Sequence, residues 1–341
     1  MLKNPISQVF KVIRSDYEPS TNFLIKYGKG VIEARYVRKE MRASSPYDNK
    51  LTGGHMDANL FPPKTSKGNG YIACYVSSHN GCSMGCQFCH LTQNKDTGMK
   101  HVDIPTYLLQ IETVLEHYKK VTCVETQEEF RESPALSGRC NVNFMSKGDA
   151  LANKYLVHKY PELYQGMEQL GNRYNLLVKP NISTIMPHTV RNISLYTIFQ
   201  DNPAYLYYSL YSINPVFRQK WLPNAIPYLD ALHKLKTFQE MRKDNPIITF
   251  HWALIKGQND QLDEARKMAK ILESFNFNAK LNIVRFNPHP NVSDQEADPK
   301  RIEEIFHILN SVFKNSQSYI VPRLDVKTKT PCGMFVPLNQ A

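Results

Sequence analysis

The 341-residue chain is 42% hydrophobic and 21% charged, with 42 Lys and Arg against 31 Asp and Glu. That balance excludes disordered and fibrous classes, and no apolar run approaches the roughly 18 residues of a membrane-spanning helix, so no membrane association is expected. The net charge of +11 is dispersed over stretches such as KVIR and RYVRKEMR, which suits a polyanionic partner or a solvated basic surface.

The opening segment, MLKNPISQVFKVIRSDYEPS, has no uninterrupted apolar core, so no secretory signal is expected. Residues 23–38, FLIKYGKGVIEARYVR, alternate apolar and polar around Gly-Lys-Gly and predict a short hairpin. Residues 44–70 are rich in Gly, Pro, Asn and Ser and predict a long loop. Six apolar, β-rich runs follow, at 71–77, 142–146, 176–184, 204–212, 247–255 and 280–286. Helical patterns lie among them, in PTYLLQIETVLEHYKKV, opened by Pro105, and in DEARKMAKILESF. This order predicts an α/β fold, a partial (βα)6 TIM-like barrel, since a closed eight-unit barrel needs two more strands. Past residue 290 come a helix (KRIEEIFHILNSVF), a strand (SYIVPRL) and a tail with TPCGMF. Three units are expected: an N-terminal hairpin and loop (1–70), the barrel (71–290) and a C-terminal extension (291–341).

Seven cysteines without a signal segment point to a reducing, cytoplasmic setting, where thiols serve more often as metal ligands or reactive groups than as bridges. Three of them, Cys82, Cys86 and Cys89, stand in HNGCSMGCQFCH, directly after the first barrel strand. Barrel enzymes place their chemistry at that end of the strands. A structural zinc site wants four protein ligands, and no second Cys or His pair with suitable spacing follows. An iron–sulfur cluster that only carries electrons also takes four thiolates. Three thiolates leave one iron open. The C-x3-C-x2-C spacing, with Phe88 before the third cysteine, resembles the signature of radical S-adenosylmethionine (SAM) enzymes; an incidental or zinc-binding triad is the alternative. The resemblance implies a [4Fe–4S] cluster whose open iron SAM chelates, with reductive cleavage of SAM giving a radical able to abstract hydrogen.

Further segments resemble the RlmN/Cfr family of RNA adenine-methylating enzymes, in that family's order. They are GVIEARYV (30–37), VSSHNGC (76–82), MSKGDALAN (145–153), NIST (181–184), YYSLYSINPVFRQKWLPNA (207–225), FNPHPN (286–291) and TPCGMF (330–335). The resemblance implies that Gly148 and Asp149 meet the SAM amino group and that Ser183, Ser209, Leu210 and Asn287 line the rest of its pocket. Cys332 matches the cysteine that carries a transferable methyl group, and Glu33 the glutamate that handles an adenine proton. The chemistry is coherent, because an amidine-like ring carbon resists direct attack on the SAM methyl. A thiolate can accept that methyl first, and a radical made on it can then add to the ring. Taken alone, Cys332 could be an ordinary buried cysteine and Glu33 half of an ion pair with Arg35. Arg285 and His289, flanking Asn287, could meet phosphate or a cofactor carboxylate or lie at the surface.

The implied activity is C-methylation of an adenine in rRNA or tRNA; a radical SAM reaction on a peptide or small metabolite is the alternative. RNA and an electron donor such as flavodoxin or ferredoxin are the expected partners, and a monomer is expected. The sequence departs from the family at four places. Tyr75 stands where a cysteine is usual, with Cys74 beside it. Asp149-Ala150 replaces Glu-Pro, Tyr211 replaces a histidine, and the N-terminal accessory domain of bacterial members is expected to be missing.

Overall fold

The computed structural model describes residues 8–16, 19–39, 71–126, 138–313, 318–331 and 333–336. The expected loop at 44–70 and Cys332 lie outside the described residues. Ten strands form one sheet in sequential order. The predicted hairpin is β2 (Ser20–Tyr27) with β3 (Gly30–Lys39), in register from Ser20↔Val37 to Tyr27↔Gly30. Its two-residue turn places Gly28 at φ +61°, a left-handed conformation that glycine adopts without a Cβ clash. A strand the sequence reading did not single out, β1 (Val9–Arg14), extends the hairpin as an exposed antiparallel edge.

The six predicted barrel strands are β4 (Tyr71–Tyr75), β5 (Arg139–Phe144), β6 (Leu177–Thr184), β7 (Tyr205–Tyr208), β8 (Ile248–Trp252) and β9 (Ala279–Ile283), all parallel. A short β10 (Tyr319–Ile320) adds to β9, also parallel. The three predicted helices form as Ile104–Thr126, Leu262–Phe275 and Pro299–Asn310.

Along each barrel strand alternate residues take opposite faces. Ile72, Cys74, Cys140, Val142, Ile182, Leu206, Phe250 and Leu281 face the helices and are at most 1% exposed. Each such aliphatic or aromatic side chain stabilises the fold by about 1.5–3 kcal/mol. The other face is polar: Asn141, Asn143, Asn181, Ser183, Tyr207, Ser209, His251 and Asn282 border an internal cavity. A barrel packed with layers of branched aliphatics has no such lumen.

The sheet is open between β10 and the N-terminal strands, and the C-terminal segment crosses that gap. Ser15 Oγ donates to Asp325 Oδ2 at 2.7 Å. Asn22 Nδ2 donates to the Thr328 carbonyl at 3.0 Å. The Val336 N–H donates to Glu33 Oε1 at 2.9 Å. The barrel is therefore closed on this side by chain that carries no ladder.

Candidate active site

The loop after β4 is fixed by backbone bonds before any ligand is considered. Val76 N–H donates to the Asn143 carbonyl, Ser78 and His79 N–H to that of Lys147, and Cys82 N–H to that of Asp96. Gly85, between Cys82 and Cys86, sits at φ +69°. The Ser77 hydroxyl donates to the Glu33 carbonyl and accepts from the Glu33 N–H, both at 2.9 Å, tying the loop to β3.

Cys82, Cys86 and Cys89 share the wall of a cavity of about 590 Å³. Burial pushes the Cys82 thiol up to about 11 and Cys86 well above the ordinary thiol range, with Cys82 and Cys89 adding to the latter. Thiols so placed stay neutral unless a positive centre draws out their protons, as iron in a cluster does. Among the described residues no three His, Cys, Asp or Glu side chains are gathered to hold a single metal ion. A tetrahedral zinc would need sulfurs about 3.8 Å apart, given its Zn–S bonds of about 2.3 Å. Three thiols on one short loop bordering a single cavity are a donor set that could serve an iron–sulfur cluster with one iron left for another ligand.

The strand ends opposite the cysteines supply polar groups. Gly148 has φ +87°, and a Cβ there would lie 2.3 Å from His79 Nδ1, so only glycine fits. Ser183, Ser209 and Asn287 line the cavity. Ser209 Oγ lies 3.4 Å from His251 Nδ1, and burial lowers the His251 ring to about 4, so it is neutral at pH 7. The Asn287 carbonyl is 3.0 Å from His90 Nε2, just beyond Cys89. Asp149 borders the cavity, but Oδ1 accepts from Leu151 N–H and Thr184 Oγ1 and Oδ2 from Ile185 N–H, at 2.9–3.0 Å. Burial raises it to about 6.

Two of the expected site residues do not border the cavity. Leu210 does not line the cavity; its side chain is 0% exposed in the core, and its carbonyl accepts from Arg218. Glu33 is also fully buried, off the cavity wall. Its Oε2 accepts from Asn22 Nδ2 (2.9 Å), Arg35 Nε (3.1 Å) and Arg35 Nη2 (2.7 Å). The ion pair with Arg35 is therefore present, and it is buried. Arg285 pairs with Glu296 while bordering the cavity, and His289 is 3.0 Å from Asn94 Oδ1.

The Tyr75 question also resolves. β4 pairs without a bulge from Tyr71 to Tyr75 on one side and Ile72 to Tyr75 on the other. Tyr75 borders the cavity. Cys74 turns to the helix face at 0% exposure, and burial holds its thiol well above the ordinary range. Tyr211 takes φ +59°, unusual for a bulky residue, and its ring stacks on Phe88 at 4.3 Å between centroids. Thr330, Pro331 and Gly333 border the same cavity, and the Gly333 carbonyl accepts from His90 N–H at 3.0 Å. The chain on both sides of residue 332 thus lies against the cysteine loop. Sequence reasoning missed Tyr75, Asn143, Asn181 and His251 as wall residues; the period-2 run of polar residues through the strands was the available signal.

This barrel, with three thiols after its first parallel strand, defines the protein as a radical SAM protein, a class that uses a [4Fe–4S] cluster and SAM. A crystal structure of a radical SAM methyltransferase from Sphaerobacter thermophilus has the same fold, with a TM-score of 0.67 at 16% identity over 96% of this chain and 80% of that one. In sequence the chain is similar to the RlmN methyltransferases. It is 26% identical over 296 residues to a probable dual-specificity RNA methyltransferase RlmN of Aquifex aeolicus, covering 83% of this chain and 76% of that one. It is also 26% identical over 275 residues to a dual-specificity RNA methyltransferase RlmN of a Nitratiruptor species, covering 76% and 69%. No family model matches the chain.

Proposed function

We propose that this protein methylates a ring carbon of adenine in rRNA or tRNA, with Cys332 carrying the methyl group. One observation carries the reading: the cysteine triad, the polar strand ends and the chain flanking residue 332 border a single cavity. Likeness to the RlmN methyltransferases and the charge of +11 support an RNA substrate.

Cys82, Cys86 and Cys89 would hold three irons and leave the fourth for SAM. Bound there, the cluster and SAM supply one-electron cleavage and hence hydrogen abstraction. The chain's residues do the rest. Gly148, Ser183, Ser209 and Asn287 would hold SAM, the two serines and the asparagine offering hydroxyl and amide partners to its polar groups. The Phe88–Tyr211 stack and Tyr75 border the same cavity and give it aromatic surface. The Cys332 thiolate takes a methyl group as nucleophile. Since a base within a helix cannot present its ring carbon, the target adenine must be unpaired or flipped out. A one-electron donor of the flavodoxin or ferredoxin type, a cytoplasmic setting and a monomer complete the proposal.

The test is anaerobic reconstitution with SAM, mass spectrometry of the peptide bearing Cys332, and nucleoside analysis of RNA from expressing cells. The expected result is methylated Cys332 and a C-methyladenosine. Cluster-dependent SAM cleavage with Cys332 unmodified and no methyladenosine would replace this reading with a radical reaction on another substrate.

A further inference from the structure

Four buried charges run in a row between the cysteine loop and the C-terminal segment. Asp96 Oδ2 is 3.0 Å from Lys147 Nζ, Lys147 Nζ is 3.9 Å from Glu33 Oε1, and Glu33 Oε2 is 2.7 Å from Arg35 Nη2. The four side chains are at most 8% exposed. Their signs alternate and sum to zero, which is the condition for keeping charges out of water. Each end grips one part of the proposed site. At one end the Asp96 carbonyl accepts from Cys82 N–H at 2.9 Å. At the other, Arg35 donates to the carbonyls of Thr330 (3.3 Å) and Met334 (2.8 Å), and its guanidinium lies 4.9 Å from the Phe335 ring centroid. Glu33 adds the Val336 N–H. The two carbonyls held by Arg35 lie two residues before and two after position 332.

We infer that Asp96, Lys147, Glu33 and Arg35 form a positioning network that sets the C-terminal methyl-carrier segment at a fixed distance from the cluster loop. The inference rests on the proposed role of Cys332. A buried ion pair is weak as a source of stability, since apolar residues of similar volume often do as well. What it supplies is a particular geometry. Two backbone carbonyls and one N–H of a segment without a ladder are fixed by side chains from β3, some 300 residues earlier.

The decisive variant is the charge-balanced double change Glu33→Leu with Arg35→Met, which leaves Asp96 and Lys147 paired beside the cluster loop. In anaerobically reconstituted protein we expect iron–sulfur absorbance and SAM cleavage to stay within about twofold of wild type. Methylation of Cys332 should fall by roughly tenfold or more, and amide exchange in residues 328–336 should accelerate by a similar factor. The single Glu33→Gln change, read the same way, should also lower Cys332 methylation. Wild-type methylation and exchange in the double variant would overturn the inference. So would cluster and SAM cleavage collapsing in step with methylation, because the network would then be a general prop. A Glu33→Gln protein that methylates Cys332 normally yet fails on RNA would overturn a positioning role for Glu33 and leave it a base on the substrate. If wild-type Cys332 is never methylated, the methyl-carrier reading fails by itself, and the exchange measurement still decides whether the network holds the segment.

Discussion

The two ends of this barrel handle charge in opposite ways. At the end that carries the cysteines, four buried charges, Asp96, Lys147, Glu33 and Arg35, pair in alternating sign. At the other end Arg139, Lys179 and Lys280 repel one another. They rest on the rings of Tyr71, Tyr205 and Tyr319, with no carboxylate partner among the described residues. Cation–π contact gives each about 0.5–1 kcal/mol where solvent reaches it, far less than a hydrogen-bonded countercharge gives in a dry site. Charge is thus paired where it is buried around the cysteine loop and the C-terminal segment, and like charges stand side by side at the other end, where the side chains are half-buried or exposed.

The contrast can be broken at either end. Lys147→Met should have the largest effect, since it leaves Asp96 and Glu33 facing Arg35 alone. An uncompensated buried charge costs about 3–5 kcal/mol, so thermal unfolding should show a Tm lower by roughly 5 °C. Gly148→Ala comes next. The residue must hold φ +87° with a Cβ 2.3 Å from His79 Nδ1, which costs about 1–3 kcal/mol of strain or displaces His79. Equilibrium titration should show SAM binding weakened by roughly tenfold. Phe88→Leu removes the stack on Tyr211 and should lower stability by about 0.5–1.5 kcal/mol in denaturant unfolding.

The smallest effect, opposite in sign, lies at the repulsive end. Burial, with Lys280 and Arg139 close by, lowers Lys179 from 10.5 to about 8. Between those values the unfolded chain binds a proton that the folded chain does not. Wild-type stability therefore rises as pH goes from 8 to 10.5, and at pH 7 the protonated lysine carries the full penalty. Lys179→Met should raise Tm by about 1–2 °C at pH 7 and flatten the stability profile between pH 8 and 10.5. An unchanged profile would mean that solvent screens the three cations from one another.

Much of the site was legible before any coordinates. Strand order, the loop that carries Cys82, Cys86 and Cys89, and the strand-end positions of Gly148, Ser183, Ser209 and Asn287 follow from local pattern and short motifs. Leu210 misled because a motif gives neighbouring residues one role, whereas successive residues at a strand end turn opposite ways. Tyr211 shows the same limit, since its left-handed backbone aims the ring at Phe88 from a distant part of the sequence.

The sequence by itself determined the order of elements, the three-thiol loop and the alternation that makes the barrel lumen polar. Those are properties of neighbours in the chain, set by residue type and spacing. Tertiary structure alone decided that Tyr75 faces the cavity while Cys74 does not, because an unbroken register with β3 and β5 fixes the face of every β4 residue. It also decided that Glu33 grips the C-terminal segment instead of facing the cavity. Its partners come from β2, from β3, from the residues after β5 and from the end of the chain, and only packing in three dimensions brings those charges together.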